Sequence, residues 1–271
     1  MTKHAFGKRG GVHAAAVVVL LAALGALAGP IGAPAARAAT AFKVLQVNLC
    51  NSGHAGCYEG GAVPEAQSLI GRVKPDVLTA NEICESDVGP LRSAMGNGDY
   101  EFRPVEDERT AAAIQCTGGR GAYGVAVLAV PRYGKTASGG GWYSYQDAGS
   151  ERRAWGCGRF GGFWACTTHL SSSDEPVALQ QCRQLMNEYI PQLHAQYGGL
   201  PTVVGADLNL EYDRSDPENA QNCVPGGYFR KGDGDVQHVI ASSAFAFVRT
   251  DKYGMSRTDH DAFMVTLTAP W

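Results

Sequence analysis

With 271 residues, 23 Lys and Arg, 26 Asp and Glu and a formal net charge of −3, the chain is long enough for one large, layered core. Its acidic balance speaks against tight, salt-driven binding to long nucleic acid. The longest apolar run, Ala14 to Leu27, holds roughly 14 residues against the ~20 that a spanning helix needs, which argues against a transmembrane anchor.

Residues 1–38 carry Lys3, Lys8 and Arg9, then that apolar run, then Ala36-Arg37-Ala38. A basic head, an apolar centre and an A-x-A end make an export signal. A secreted mature chain is therefore expected, folded as a single domain over residues 39–271 and working as a monomer. Removing the signal takes four of the 23 basic residues and none of the 26 acidic ones, leaving a net charge of −7.

Residues 42–48 (F-K-V-L-Q-V-N) read as a strand. Residues 64–73 read as a helix, with Pro64 at its start and Ala66, Leu69, Ile70 and Val73 at helical spacing. Pro75-Asp76 turns the chain into a strand over 77–83, and residues 123–130 and 155–168 look like further β-structure, the second folding back through 158–162. Residues 176–197 make the strongest helix, with Leu179, Cys182, Leu185, Met186, Tyr189, Ile190 and Leu193 on one stripe and Pro191 set to kink or end it. The glycine runs 118–119 and 139–141 lack the strand-to-helix setting of a nucleotide loop and read as turns. Two such halves fit a sandwich of two mixed sheets with helices outside, their strand ends converging on one cleft.

The strand ends carry the chemistry. V-V-G-A-D-L-N-L, residues 203–210, breaks an apolar run at Gly205 and delivers Asp207 and Asn209, whose oxygens suit a hard cation, a phosphoryl group or a water. Four other apolar runs end in the same way: Asn48, Glu82 in D-V-L-T-A-N-E-I, His169 in F-W-A-C-T-T-H-L, and Asp259-His260 in S-R-T-D-H-D-A-F. Arg153, in Glu151-Arg152-Arg153 at the opening of the 155 strand, is a candidate bidentate clamp on an anion, preferred over Arg152.

In this order, from Phe42 to about Leu267, the segments resemble the endonuclease/exonuclease/phosphatase superfamily, the group of deoxyribonuclease I, abasic-site endonucleases, sphingomyelinases and inositol-phosphate phosphatases. G-A-D-L-N followed by T-D-H is the most specific part. The resemblance implies a mixed α/β fold, a four-layer sandwich of two mixed β-sheets flanked by helices. It makes Glu82 the principal Mg²⁺ ligand (Mn²⁺ and Ca²⁺ being the other candidates), with Asn48 beside it and Asp259 next to the metal. Asp207 and Asn209 would hold the nucleophilic water and the phosphate, His169 and His260 would contact the scissile phosphate, and Asn48 and Arg153 would help bind it. The implied activity is metal-dependent phosphodiester hydrolysis with DNA or RNA as substrate. A phospholipid such as sphingomyelin, or another small phosphoester, is the alternative that an acidic surface favours, and a binding module of the same fold with weakened turnover is a third reading.

One departure stands out. Where the family usually has an Asp that orients and charges the histidine of the terminal D-H pair, D-V-Q-H-V-I-A-S places Gln237, which can fix a tautomer but cannot stabilise imidazolium as a carboxylate does. Either His260 works largely neutral or Asp235, two residues earlier, supplies the charge.

Eight cysteines follow the signal, and an even count in an exported chain implies disulfides. Eight cysteines allow about a hundred pairings. Spacing suggests neighbours: Cys50 with Cys57, Cys84 with Cys116, Cys157 with Cys166 and Cys182 with Cys223. A zinc cluster is the rival, and no C-x-x-C pair supports it. The acidic groups Glu211, Asp213, Asp216, Glu218 and Asp233, Asp235 match no calcium loop and read as solvated turns, and His54, His194 and His238 as solvent or packing residues.

Overall fold

The computed structural model describes residues 40–271, so the export-signal reading of residues 1–38 lies outside the described residues. Two six-stranded sheets carry the fold. The first runs, in spatial order, Ala246–Tyr253 (β13), Ala262–Thr268 (β14), Ala41–Asn48 (β1), Val77–Cys84 (β2), Tyr123–Ala129 (β5) and Tyr100–Pro104 (β3). The second runs Tyr228–Gly232 (β11), Gln237–Ser242 (β12), Thr202–Asp207 (β10), Phe163–His169 (β9), Ala154–Phe160 (β8) and Lys135–Trp142 (β6). A two-stranded ribbon, Glu106–Asp107 (β4) with Glu151–Arg152 (β7), stands apart. Each large sheet is antiparallel except for one parallel ladder, β1 with β2 and β9 with β10.

The strands pack as their period-two pattern dictates. In β1, Leu45 and Val47 turn toward the helices Ala62–Val73 (α1) and Val88–Ala94 (α2), while Phe42 and Val44 face the other sheet. In β9, Trp164 and Cys166 meet the helices Glu175–Gln184 (α3) and Ile190–Tyr197 (α4), while Phe163 and Ala165 face inward. The result is four layers, helix, sheet, sheet, helix, with the middle filled by Val77, Val127, Phe160, Val203, Val239 and Val265 among others. Followed toward the carboxyl ends of the parallel strands, that middle layer changes character. Phe42 and Val44 give way to Gln46 and Asn48, Val77 to Thr79 and Asn81, Ala165 to Thr167 and His169, Val203 to Asp207, all still buried. Gly205 belongs to this crossover, because a Cβ there would fall on the Thr79 hydroxyl of the facing sheet.

Three expectations need correction in detail. Residues 139–141 are not a turn: they lie inside β6, where a Cβ on Gly139 would strike Leu193 of α4 and one on Gly140 the Trp155 backbone, so a close approach, not a bend, asks for glycine. The β8–β9 hairpin closes through Gly161-Gly162 between the paired Phe160 and Phe163, leaving Gly158 within the strand. The long helix neither ends nor breaks at Pro191; a π-helical turn, Leu185–Tyr189, takes up the proline's missing N–H and joins α3 to α4. Asp174 caps its start, accepting from Val177 N at 3.0 Å.

The cysteines pair as their spacing suggests: Cys50–Cys57, Cys84–Cys116, Cys157–Cys166 and Cys182–Cys223, with none free among the described residues. The acidic loops are hydrogen-bonded turns, Asp213 accepting from Ser215 and Asp233 from the backbone of Asp235 and Gln237. His194 and His238 are packing residues bonded to Thr202 and to the Leu210 carbonyl. Among the described residues no helix is long and apolar enough to cross a membrane.

Candidate active site

The polar end of the middle layer is where four strand ends meet. β1 supplies Asn48, β2 Glu82, β9 His169 and β10 Asp207, and the segment between β13 and β14 adds Asp259 and His260. Asn48 is the joint. Its Nδ2 donates to Glu82 Oε1 and to Asp207 Oδ2, both at 3.0 Å, and its Oδ1 accepts from the Cys50 N–H. One amide thus holds a carboxylate from each sheet.

Glu82 reaches that amide from a bulge. The β2–β5 ladder shifts register between Ala80 and Ile83, and Glu82 takes a left-handed backbone, φ 54°. For a residue other than glycine such a conformation costs on the order of 1–3 kcal/mol and persists only where neighbours fix it; here Asn51 N bonds the Glu82 carbonyl at 2.8 Å. Burial pushes the Glu82 carboxyl up from 4.5 to about 6; the Asn48 amide opposes the rise, and the charges of Glu151, Asp207 and Asp259 add to it. The nearest cationic candidate, His169 Nε2, stands 3.9 Å away.

Asp207 is fully buried, and burial raises its carboxyl above the usual range against the pull of His260 and of its own donors. Oδ2 accepts from Asn48 and, at 2.6 Å, from Gln237 Nε2, while Oδ1 accepts from Asn209 N at 3.1 Å. Three of roughly four acceptor positions of a carboxylate are therefore taken. Gln237 is itself aimed: Thr79 donates to Gln46 Oε1, and Gln46 Nε2 donates to Gln237 Oε1 at 2.9 Å.

His169 is buried, and its tautomer follows from its neighbour. Arg153 Nη1 can only donate, so at 3.1 Å it makes His169 Nδ1 the acceptor and leaves the proton on Nε2, on the Glu82 side. Burial first, then the Arg153 charge, hold this imidazole well below its usual pKa. Arg153 is 7% exposed, donates from Nη2 to Ser172 Oγ at 3.0 Å and touches Glu151 at 2.8 Å. Arg152 points away, to Glu106 and Glu108.

Asp235, the carboxylate considered as a charged partner for His260, makes no ion pair with it among the described residues. Asp235 is exposed in the turn before β12, and Gln237 spends its amide on Asp207. His260 Nε2 lies instead 3.7 Å from Asp207 Oδ2 and 3.8 Å from Asp259 Oδ1. Asn209 follows the end of β10 with φ 49° and donates to the Leu170 carbonyl at 2.9 Å. Asp259, half exposed, lies beside the Cys50–Cys57 bridge; those sulfurs are bonded to each other, so Asp259 is the one ligand that grouping offers. Asn48, Glu82, Arg153, His169, Asp207, Asn209, Asp259 and His260 all belong to this one mouth. Gln46, Thr79 and Asn81, which sequence reasoning passed over, form the polar floor, Asn81 Oδ1 accepting from Asp207 N at 2.9 Å. Their signal was a polar residue every second place in strands otherwise apolar.

No family model and no curated protein matches the sequence. Solved structures do. An endonuclease/exonuclease/phosphatase family protein from Bacteroides thetaiotaomicron superposes with a TM-score of 0.66 at 15% identity, covering 85% of this chain and 95% of its own. The chain has the endonuclease/exonuclease/phosphatase fold. Two further structures of that fold are a mannosyl-6-phosphatase from the same organism (TM-score 0.63, 15% identity, 84% of this chain and 99% of that one) and TDP2 from Caenorhabditis elegans (0.60, 18%, 85% and 75%).

Proposed function

We propose that the chain is a secreted, divalent-metal-dependent phosphodiester hydrolase, acting as a monomeric single domain over residues 39–271. The observation that carries this reading is the Asn48 amide joining two buried carboxylates, Glu82 and Asp207, one from each sheet. Two carboxylates held above their usual pKa by burial, with two more acids adding to the potential and, among the described residues, no lysine or arginine bonded to Glu82, form a donor set suited to a hard cation. Glu82 and Asn48 Oδ1, whose second lone pair is not taken by the Cys50 N–H, would hold Mg²⁺, with Asp259 beside it and Mn²⁺ or Ca²⁺ as substitutes. When bound, the ion supplies charge to oppose the negative charge that builds on phosphorus.

The chain's own residues supply the rest. Asp207, locked by three donors, has one acceptor position left to orient a water for attack and take its proton. Neutral His169 offers an Nε2–H to a phosphoryl oxygen, its orientation held by Arg153. His260, between Asp207 and Asp259, can carry positive charge toward the leaving group, and Asn209 flanks the phosphate side of Asp207. The mannosyl-6-phosphatase among the structures of this fold supports phosphoester chemistry. DNA or RNA is the first substrate, and a small or membrane-borne diester such as sphingomyelin is favoured by the acidic balance of the chain. The test is hydrolysis of plasmid DNA, RNA, sphingomyelin and bis-p-nitrophenyl phosphate by the purified mature protein with Mg²⁺, Mn²⁺ or Ca²⁺. Turnover undiminished in excess chelator would defeat the reading.

A further inference from the structure

The ion pair between Arg153 and Glu151 is unusual for where it sits. Among the described residues Arg153 is the one arginine bonded to a site histidine, and on its other side it meets an acid rather than open space. The pair is also poorly made. Arg153 Nη1 and Glu151 Oε2 are 2.8 Å apart, yet that oxygen has no aligned hydrogen bond, and Arg153 Nε is buried without a partner. A guanidinium buried to this extent ordinarily makes paired, forked contacts. Glu151 belongs to β7, in the two-stranded ribbon, and forms the shared wall of two adjoining hollows. One, of about 270 Å³, also touches Ser52, His54 and Tyr123; the other, of about 220 Å³, touches Arg153 and Ser172. Glu151 is also close enough to Glu82 for its charge to be felt there.

We propose that Glu151 is a charge filter that makes this site select phosphoesters of one negative charge, diesters, over the dianions of phosphomonoesters. The inference rests on the phosphohydrolase reading above and deepens it. A phosphoryl oxygen at His169 Nε2 stands on the opposite edge of the imidazole from Arg153, whose charge reaches it across the ring, and Glu151, in contact with Arg153 Nη1, offsets part of that charge. Four carboxylates, Glu82, Glu151, Asp207 and Asp259, then stand against Arg153, one divalent ion and His260, whose imidazole adds a charge when protonated. With one charge on the ester the excess is small. A second charge on the phosphoryl group meets Glu151 at close range with no further cation to answer it, at an effective dielectric where like charges ~6 Å apart cost about tenfold or more in binding. Glu151 acts here as a specificity-determining residue that forms and breaks no bond.

The discriminating measurement is the ratio of kcat/KM for bis-p-nitrophenyl phosphate to that for p-nitrophenyl phosphate at pH 8, where the monoester carries two charges. Glu151→Gln should move that ratio about tenfold toward the monoester, and Glu151→Asp, which keeps the charge, should leave it near wild type. Melting temperatures of the three proteins show whether each is folded. A folded Glu151→Gln with an unchanged ratio overturns the proposal. Calorimetric binding of inorganic phosphate against diethyl phosphate, in the presence of Mg²⁺, reads the same preference without turnover. Wild type that binds diethyl phosphate more tightly, loses that preference on Glu151→Gln and hydrolyses neither ester would uphold the filter and remove the hydrolase reading alone. Equal preference in the two proteins would remove the filter.

Discussion

Glu82 should destabilise the metal-free protein, and replacing it should show by how much. Its carboxyl rises from 4.5 to about 6 on folding, and the side chain is only 16% exposed, so solvent screens little of the effect. Because the folded protein binds this proton more tightly than the unfolded chain, the group's contribution is fully present below pH 4.5. It is lost as pH rises through 6. Above that window the ionised, buried carboxylate costs about 2 kcal/mol, since each tenfold change in proton affinity is worth about 1.36 kcal/mol. Glu82→Gln removes the charge and keeps the oxygen that accepts from Asn48. In chelator at pH 7.5 the variant should therefore melt higher than wild type, by up to about 8 °C for a chain of this size. Mg²⁺ should reverse the order, since an ion that binds only the native state stabilises wild type by mass action and finds no charge in the variant. The same group sets a pH limit on the metal. Wild-type Mg²⁺ affinity, followed by calorimetry, should fall about tenfold between pH 7 and pH 5, as ionised Glu82 falls from nine-tenths to one-tenth of the population. A variant that melts lower than wild type in chelator, or that Mg²⁺ stabilises as strongly as wild type, would refute both the burial argument and the assignment of the ligand.

Two other expectations follow from the geometry. Gln237→Asp sets a third carboxylate against Asp207 and breaks the chain of donors from Thr79 through Gln46, so kcat should drop on the order of 10²-fold, whereas Asp235→Asn, in an exposed turn, should change the pH-rate profile little; a gain in the first or a collapse in the second would return the charged role to the 235–237 segment. Replacing Cys182 and Cys223 by alanine opens a bridge spanning 41 residues between α3 and the 220–223 turn, and urea unfolding should show a loss of about 4 kcal/mol, with a loss under about 1 kcal/mol counting against a constraint on the unfolded chain.

Which parts of this were legible in the sequence depends on how local the physics is. Strand positions in β1, β2, β9 and β10 were legible because a period of two in a buried run is a local signal, and the polar residue closing each run is its visible break. The left-handed turn at Glu82 was not, since a bulge is set by the partner strand β5 and leaves no mark in T-A-N-E-I. Gly139 to Gly141 looked like a turn because the pressure that requires them small comes from Leu193 and Trp155, more than ten residues away. The carboxylate beside His260 is hidden from the sequence for the same reason. Along the chain the carboxylate in reach is Asp235, in the turn before β12, while the one that stands beside His260, Asp207, belongs to the neighbouring strand β10.

The arrangement has a simple origin in the two parallel ladders. β1 beside β2 and β9 beside β10 are the only parallel pairs among the described strands, and in register each ends level, Asn48 against Asn81 and Asp207 against His169. A parallel pair needs a crossover, so both of its strands finish at the same edge of the sheet and leave two polar side chains side by side. Stacking one sheet on the other brings the two edges together, and residues 159 apart in sequence, Asn48 and Asp207, come within hydrogen-bond distance. The antiparallel neighbours add to this mouth from their beginnings and connections, Gln237 from the start of β12 and His260 from the approach to β14. The buried carboxylates are therefore placed by the same strand order that builds its core; neutralising Glu82 should relieve the metal-free fold at the expense of the chemistry, whereas removing Asp207 would leave the buried donors of Asn48, Gln237 and Asn209 without their acceptor.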